Sequence, residues 1–212
     1  MEWPLLAGIP EEDVRRVLAI ARRRTFARRE VVFHHGDPAD SLHLVLKGRF
    51  TVRIGTPLGD VALLSVISPP DTFGEIALLE DGSARSATVE ALEPAETKVI
   101  HKLDFDALRM RHPAVGEVLA RALALRVRRL SDLLVEAHYL PADQRVLRRL
   151  AELGGVGDGV VPLTQEEIAQ LAGASRATVN RVLRKAQARG VLELRRGRIR
   201  VLDAGRLAAH VP

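Results

Sequence analysis

The 212-residue chain contains no cysteine. That excludes disulfides, thiolate nucleophiles, cysteine-ligated zinc and cysteine-held iron–sulfur clusters together. No stretch reaches the roughly 18 apolar residues that a membrane-spanning helix needs, and the opening Met1-Glu2-Trp3-Pro4 lacks the basic-then-apolar layout of a signal peptide. The sequence therefore reads as cytoplasmic, with no membrane partner. It has no Ser-His-Asp set, no P-loop and no kinase signature, which argues against an enzyme. His34, His35, His43 and His101 invite a metal site. Neighbours on a strand point to opposite faces, however, so His34 and His35 cannot both ligate one ion from an ideal strand. No metal and no required cofactor are expected.

What is present is enough for a folded core. Hydrophobic residues make up 47% of the chain, and its length accommodates one large domain or two small ones. The net charge of +5 is unevenly spread. From Tyr139 to the end there are 13 Arg and Lys against 7 Asp and Glu, a net +6, so the first 138 residues carry −1. A basic C-terminal third is what contact with a polyanion calls for.

Three segments follow from the patterning. Residues 11–24 have helical apolar spacing at Val14, Val17, Leu18 and Ala21. Between 30 and 103, short β-branched runs alternate with turn signals: Val31-Val32-Phe33 before His35-Gly36-Asp37-Pro38, 42–46 before Lys47-Gly48, 50–54 before Gly55-Thr56-Pro57, 61–67 before Pro69-Pro70, then 97–101. Strands at this spacing predict an antiparallel barrel or sandwich. Pro113 opens the second segment, where Gly116, Ala120, Leu123, Val127, Leu130, Leu134 and Ala137 recur in steps of 4-3-4-3-4-3. This is either a heptad seam pairing two chains or an amphipathic helix packed on its own domain. In the third segment, 143–153 reads as a helix with Val146, Leu147 and Leu150 inward. The following run Gly154-Gly155-Val156-Gly157-Asp158-Gly159 succeeds a helix rather than a strand, so it is no dinucleotide fingerprint.

The densest chemistry lies in 73–89. Gly74-Glu75 is followed after a gap by Arg85-Ser86, with small residues around Gly74 and Gly82. A planar cation, a short hydroxyl and free backbone amides suit a phosphate. A carboxylate such as Glu75 cannot serve the phosphate, but it accepts from a ribose hydroxyl. These residues resemble the phosphate-binding cassette of the catabolite activator (CRP/FNR) family of bacterial transcription regulators. The resemblance implies that Glu75 takes the ribose hydroxyl, that Arg85 and Ser86 take the cyclic phosphate, and that Gly74 belongs to the same loop. It also implies an α+β fold: an N-terminal antiparallel β-roll of the cyclic-nucleotide-binding type (1–113), a dimerisation helix (114–138) and a C-terminal winged helix-turn-helix (139–212). Family members that sense oxygen through a cysteine-bound cluster have no counterpart here.

The C-terminal end reads as a DNA-binding element in its own right. Thr164-Gln165-Glu166-Glu167 is a capping box, Gly173 marks a sharp turn, and Ser175 caps a second helix that Gly190 ends. That helix buries Val179, Val182, Leu183 and Ala186 and presents Arg176, Ala177, Asn180, Arg181 and Arg184. Leu192 and Leu194, then Arg195-Arg196-Gly197-Arg198, then Ile199 and Val201 read as a hairpin wing with Arg196 and Arg198 at its basic tip. Two helices on a tight turn, the second one basic, form a helix-turn-helix. Residues 168–181 also resemble the family's recognition motif. That implies guanine contacts from Arg176 and Arg181, phosphate contacts from Thr164 and Ser175, a homodimer through 116–137, a two-fold symmetric duplex operator and RNA polymerase as a partner.

Two positions depart from the family pattern. Ala177 stands where the family has a glutamate that accepts from cytosine, and Asn180 adds an adenine reader. Leu130-Ser131 stands where cyclic-AMP-responsive members carry a threonine–serine pair facing the adenine, so one hydroxyl is lost. The expected effector is cyclic AMP, with cyclic GMP as the other candidate. The alternatives are a family member active without ligand, a nucleotide sensor acting on a protein partner, and a metal-dependent barrel enzyme.

Overall fold

A computed structural model of the chain describes residues 2–55, 61–79, 82–155, 158–195 and 198–209. Of the positions named above, Met1, Thr56, Pro57, Val156, Gly157, Arg196 and Gly197 lie outside the described residues, as do 80–81 within the 73–89 stretch. The chain divides into two compact units, Met1–Val61 with Ser65–Leu130, and Ala62–Leu64 with Ser131–Pro212.

The first unit opens with a 3₁₀ turn, Pro4–Leu6, and helix α1 (Glu11–Ile20), whose first turn carries Glu11, Glu12 and Asp13 against the positive end of the helix dipole. Strands β1 (Arg22–Phe26), β2 (Val31–Phe33), β3 (Ser41–Lys47), β4 (Phe50–Gly55), β5 (Val61–Ile67) and β6 (Thr72–Phe73) follow. A 3₁₀ helix, Glu75–Leu78, precedes β7 (Thr88–Ala91) and β8 (Ala95–His101). The strands form two four-stranded sheets, ordered β1-β8-β3-β6 and β2-β7-β4-β5. The pairs β1–β8, β3–β8, β3–β6, β2–β7 and β4–β7 are all antiparallel. Helix α2 (Lys102–Arg111) and the 3₁₀ turn Pro113–Gly116 lead into helix α3 (Glu117–Tyr139).

Period-two alternation along β3 divides the core into two layers. Leu42 and Leu44 join Leu5, Val17, Ile100, Phe105, Val115 and Val118 in a layer shared with the helices. Val45 joins Phe26, Phe50, Phe73 and Val89 in the layer between the sheets, and His43 stacks there on Phe73 with ring centroids 4.7 Å apart. The Trp3 indole ties the N-terminus down by donating to the Val45 carbonyl at 3.2 Å.

The expected helix over 11–24 is corrected by the structure: it stops at Ile20, and Arg22–Phe26 is a strand. Backbone pairing of Arg22 through Phe26 with Val99 through Ala95 overrides the local helical spacing there. On α3, Val118, Leu119 and Ala122 are buried in the first unit. Leu123, Val127, Leu130 and Leu134 of the heptad pattern stay exposed in the single chain.

The second unit contains α4 (Ala142–Gly154), β9 (Val160–Val161), α5 (Gln165–Ala172), α6 (Arg176–Ala188), β10 (Leu192–Arg195), β11 (Arg198–Val201) and α7 (Ala204–Ala208). Its sheet runs β10-β11-β9. The three main helices bury Val146, Leu150 and Leu153, then Ile168 and Ala172, then Val179, Val182, Leu183 and Ala186. Glu136 and Arg149, each 5% exposed, form a buried ion pair. The antiparallel sheets with a helical layer, and a helix-turn-helix with its wing strands, make this the expected α+β architecture.

Candidate functional site

The 73–89 cassette folds around Arg85. Gly74 adopts φ +83° just before the 3₁₀ helix. A Cβ there would sit 2.7 Å from the Ser41 carbonyl and 2.8 Å from Arg85 Nη1, so glycine is required by both the dihedral and the close approach. The loop is fastened to the 36–39 turn: Gly36 N–H donates to the Arg85 carbonyl (2.9 Å), Arg85 N–H to the Asp37 carbonyl (2.8 Å) and Ala39 N–H to the Ser83 carbonyl (2.9 Å).

The Arg85 guanidinium is buried. Nη1 donates to the Ser41 carbonyl at 2.7 Å, and Nη2 donates to Ser41 Oγ at 2.8 Å and Asp40 Oδ1 at 3.1 Å. Its plane lies over the Phe33 ring, 4.0 Å from the centroid. Among the described residues, the buried Nε hydrogen has no partner. Burial lowers the Arg85 pKa from its ordinary value, while the charges of Asp40, Asp37 and Glu75 act to raise it. The group still remains a cation. Close by, His43 donates to or accepts from Thr97 Oγ1 at 3.2 Å. Its pKa is lowered to about 3, first by burial and then by Arg85 and Arg24, so it stays neutral.

The structure thus brings Gly74, Glu75 and Arg85 together, with Ser86 exposed on the same loop. Leu130, 52% exposed, and Ser131 stand on α3. Sequence reasoning missed Asp40, Ser41 and Phe33, the groups that hold Arg85. They lie 44 to 52 positions away along the chain, and only strand pairing brings them near. Among the described residues, no group of three or more His, Cys, Asp or Glu is arranged to hold a metal. Among the same residues, no helix is long and apolar enough to cross a membrane.

In the second unit the capping box is complete. Thr164 Oγ1 accepts from Glu167 N–H at 3.2 Å, and Glu167 Oε2 accepts from Thr164 N–H at 2.8 Å. Gly173 takes φ +57° at the C-cap of α5, and Ser175 Oγ accepts from Thr178 N–H at 3.1 Å to start α6. Arg145 braces this turn by donating to the carbonyls of Ala172 (2.8 Å), Gly173 (2.6 Å) and Leu140 (2.7 Å). Of the expected reading face, Arg176, Ala177, Arg181 and Arg184 are exposed, and Asn180 Nδ2 donates to Gln165 Oε1 at 3.3 Å. Arg181 is paired with Asp143, a residue the sequence did not single out. Arg198 is exposed on β11.

A β-roll with a buried arginine in a glycine-bounded loop, joined in one chain to a winged helix-turn-helix, defines a class: two-part DNA-binding transcription regulators. Comparison with known proteins agrees. Residues 23–112 match the cyclic nucleotide-binding domain, and residues 144–210 match the Crp-like helix-turn-helix domain. The chain is similar to the "Cyclic AMP receptor protein" of Thermus thermophilus, 35% identical over 210 residues, covering 96% of this chain and 94% of that one. It is also similar to the "CRP-like cAMP-activated global transcriptional regulator" of Mycobacterium tuberculosis, 34% identical over 194 residues, covering 86% and 85%. The crystal structure of Thermus thermophilus catabolite activator protein superposes with a TM-score of 0.56 at 33% identity, covering 99% of this chain and all (100%) of that one. The chain belongs to the CRP/FNR family, whose members are transcription regulators and not enzymes.

Proposed function

We propose that the protein is a homodimeric, sequence-specific DNA-binding regulator controlled by a cyclic nucleotide in its β-roll, with cyclic AMP the favoured effector. The observation that carries this reading is Arg85: a buried cation with one N–H that has no partner among the described residues. An anionic phosphate supplies the missing acceptor and replaces Asp40 at Nη2. Ser86 adds a hydroxyl, Glu75 accepts from the ribose, and the turn at Gly74 lets the ligand approach the backbone. Ser131, with Leu130 beside it, meets the base. The names of the Thermus and Mycobacterium relatives favour cyclic AMP, and cyclic GMP is the competing occupant of the same pocket.

The exposed stripe Leu123, Val127, Leu130 and Leu134 supports pairing of two chains along 116–137. In this reading 1–113 senses, 114–138 dimerises and 139–212 binds duplex DNA in the cytoplasm. Arg176 and Arg181 read guanine, and Ala177 and Asn180 meet neighbouring bases. Thr164, Ser175, Arg184, Arg196 and Arg198 hold the backbone. In helix-turn-helix proteins, the catabolite activator among them, a dimer reads half-sites about 34–36 Å apart in successive major grooves. The nucleotide acts only through its differential affinity for the DNA-competent arrangement. RNA polymerase is the expected downstream partner.

Selection from a random duplex library, run with and without cyclic AMP, tests the DNA reading. A two-fold symmetric consensus is expected, and recovery of no consensus in either condition refutes it. Asp40 supports a second reading, activity without ligand, because it already gives Arg85 a counter-ion. Equal enrichment with and without the nucleotide is its signature.

A further inference from the structure

Arg181, on the exposed side of α6, does not present an open guanidinium. Nη1 donates to Asp143 Oδ2 at 2.6 Å and Nη2 donates to Asp143 Oδ1 at 2.7 Å. The carboxylate comes from the first turn of α4, 38 positions earlier in the chain. Both side chains remain solvent-accessible, 62% and 40% exposed. Arg176 and Arg184 on the same helix face carry no such counter-ion among the described residues. An exposed pair contributes little to stability. Its consequence lies at the surface on which it sits.

The pairing is end-on. Each terminal nitrogen gives one hydrogen to one carboxylate oxygen, which uses two of the five guanidinium hydrogens. The Nε hydrogen and the neighbouring Nη2 hydrogen remain together along one edge. That edge is the two-donor fork that matches O6 and N7 of guanine. On the recognition-helix reading, Asp143 also places a negative charge on the face offered to DNA. It neutralises Arg181 as a general phosphate binder and repels the backbone itself. The pair therefore disfavours sequence-independent contact while leaving the base-reading edge free.

We infer that Asp143 is a specificity-determining residue of the DNA interface: by clamping the forward edge of Arg181 it orients the side edge toward a guanine and withdraws the cation from phosphates. This rests on the recognition-helix reading above and names a positioning residue for it. Asp143 touches Arg181, and only through Arg181 does it act on a base.

The experiment measures Kd by fluorescence anisotropy for the full chain with saturating cyclic AMP, over a salt series. Three duplexes are used: the selected operator, the same operator with the Arg181 guanine replaced, and a scrambled sequence. Asp143→Asn is isosteric and keeps the helix start, and thermal melts followed by circular dichroism verify its fold. Asp143→Asn is expected to bind the scrambled duplex more tightly and to steepen its log Kd–log salt slope by up to about 0.9, one phosphate contact. The scrambled-to-operator Kd ratio should fall at least about 5-fold, the lower end of what one bidentate base contact discriminates. Arg181→Lys keeps the charge pair but not the fork, so it should lower the ratio without changing the slope. In an Arg181→Ala background, Asp143→Asn should leave the ratio where Arg181→Ala alone put it. An unchanged ratio and slope in Asp143→Asn, with Arg181→Ala still altering base preference, overturns the role of Asp143 alone. Unchanged base preference in Arg181→Ala removes the recognition-helix reading, and this inference with it.

Discussion

Replacing Arg85 by alanine tests the pocket from two sides, because the guanidinium is both the proposed phosphate donor and a buried tie. Its side chain is 4% exposed and holds the Ser41 carbonyl at 2.7 Å. Alanine removes that donor, and a buried acceptor left unpaired costs about 1–3 kcal/mol. The contact with Phe33 is lost too, adding roughly 0.5–2 kcal/mol. Ser41 Oγ keeps Asp40 as a partner at 2.8 Å, so it adds little. A loss of about 1.5–5 kcal/mol follows, which for a chain of this length lowers the melting temperature by roughly 3–20 °C. The effect on nucleotide binding is larger. Two charge-assisted hydrogen bonds to phosphate at about 1.5–3 kcal/mol each correspond to about 10²- to 10⁴-fold in Kd. Arg85→Lys keeps the charge without the fork and should fall between the two. The assay is calorimetric titration with cyclic AMP at a temperature where circular dichroism shows the variant folded. A folded Arg85→Ala protein that binds within threefold of the parent places the pocket elsewhere and refutes the reasoning.

Further outcomes can be checked independently. His43 is held neutral with a pKa near 3, against about 6.5 in the unfolded chain, so the unfolded state alone takes up a proton in that window. Stability should therefore be unaffected above about pH 6.5 and fall by up to about 1.4 kcal/mol per unit as pH drops from there toward 3. His43→Gln should flatten that acid limb by one proton in denaturant titrations at pH 7, 6, 5 and 4; an unchanged limb contradicts the assignment. Glu136→Ala removes one of the two carboxylates paired with the buried Arg149, leaving it Glu152, and should cost about 1.5–3 kcal/mol in urea unfolding of the second unit, whereas a loss below about 0.5 kcal/mol means the pair is solvated. Thr164→Ala opens the capping box of α5 and should cost about 0.5–2 kcal/mol in the same assay.

The parts of this fold that could be read from sequence are those written in local chemistry. The Thr164–Glu167 capping box, the Gly173 turn and the Ser175 cap all act within four residues, and the helix-turn-helix follows from them. The heptad spacing of Leu123, Val127, Leu130 and Leu134 likewise foretold a long helix with an uncovered apolar stripe. Arg22–Arg24 was misread because its helix-compatible residues become part of a strand only by pairing with β8, some 70 residues later. The same limit applies to the pocket. Gly74, Glu75 and Arg85 stand close enough in sequence to mark the loop as a candidate. Asp40, Ser41 and Phe33 carry no mark of their role until the sheets bring them to the guanidinium. Asp143 was hidden for a related reason: in sequence it is only an acid in a helix first turn, and the packing of α4 near α6 makes it the partner of Arg181.

The central claim is that a nucleotide held at Arg85 controls the grip of the recognition helices on DNA. It is tested most directly by anisotropy of a labelled operator duplex titrated with nucleotide-stripped protein, alone and with saturating cyclic AMP or cyclic GMP. A coupling of the usual allosteric size should tighten binding about 5- to 150-fold with the cognate nucleotide, and Arg85→Ala should abolish that gain while retaining the basal affinity. Identical affinity for the operator in all three conditions would contradict nucleotide control.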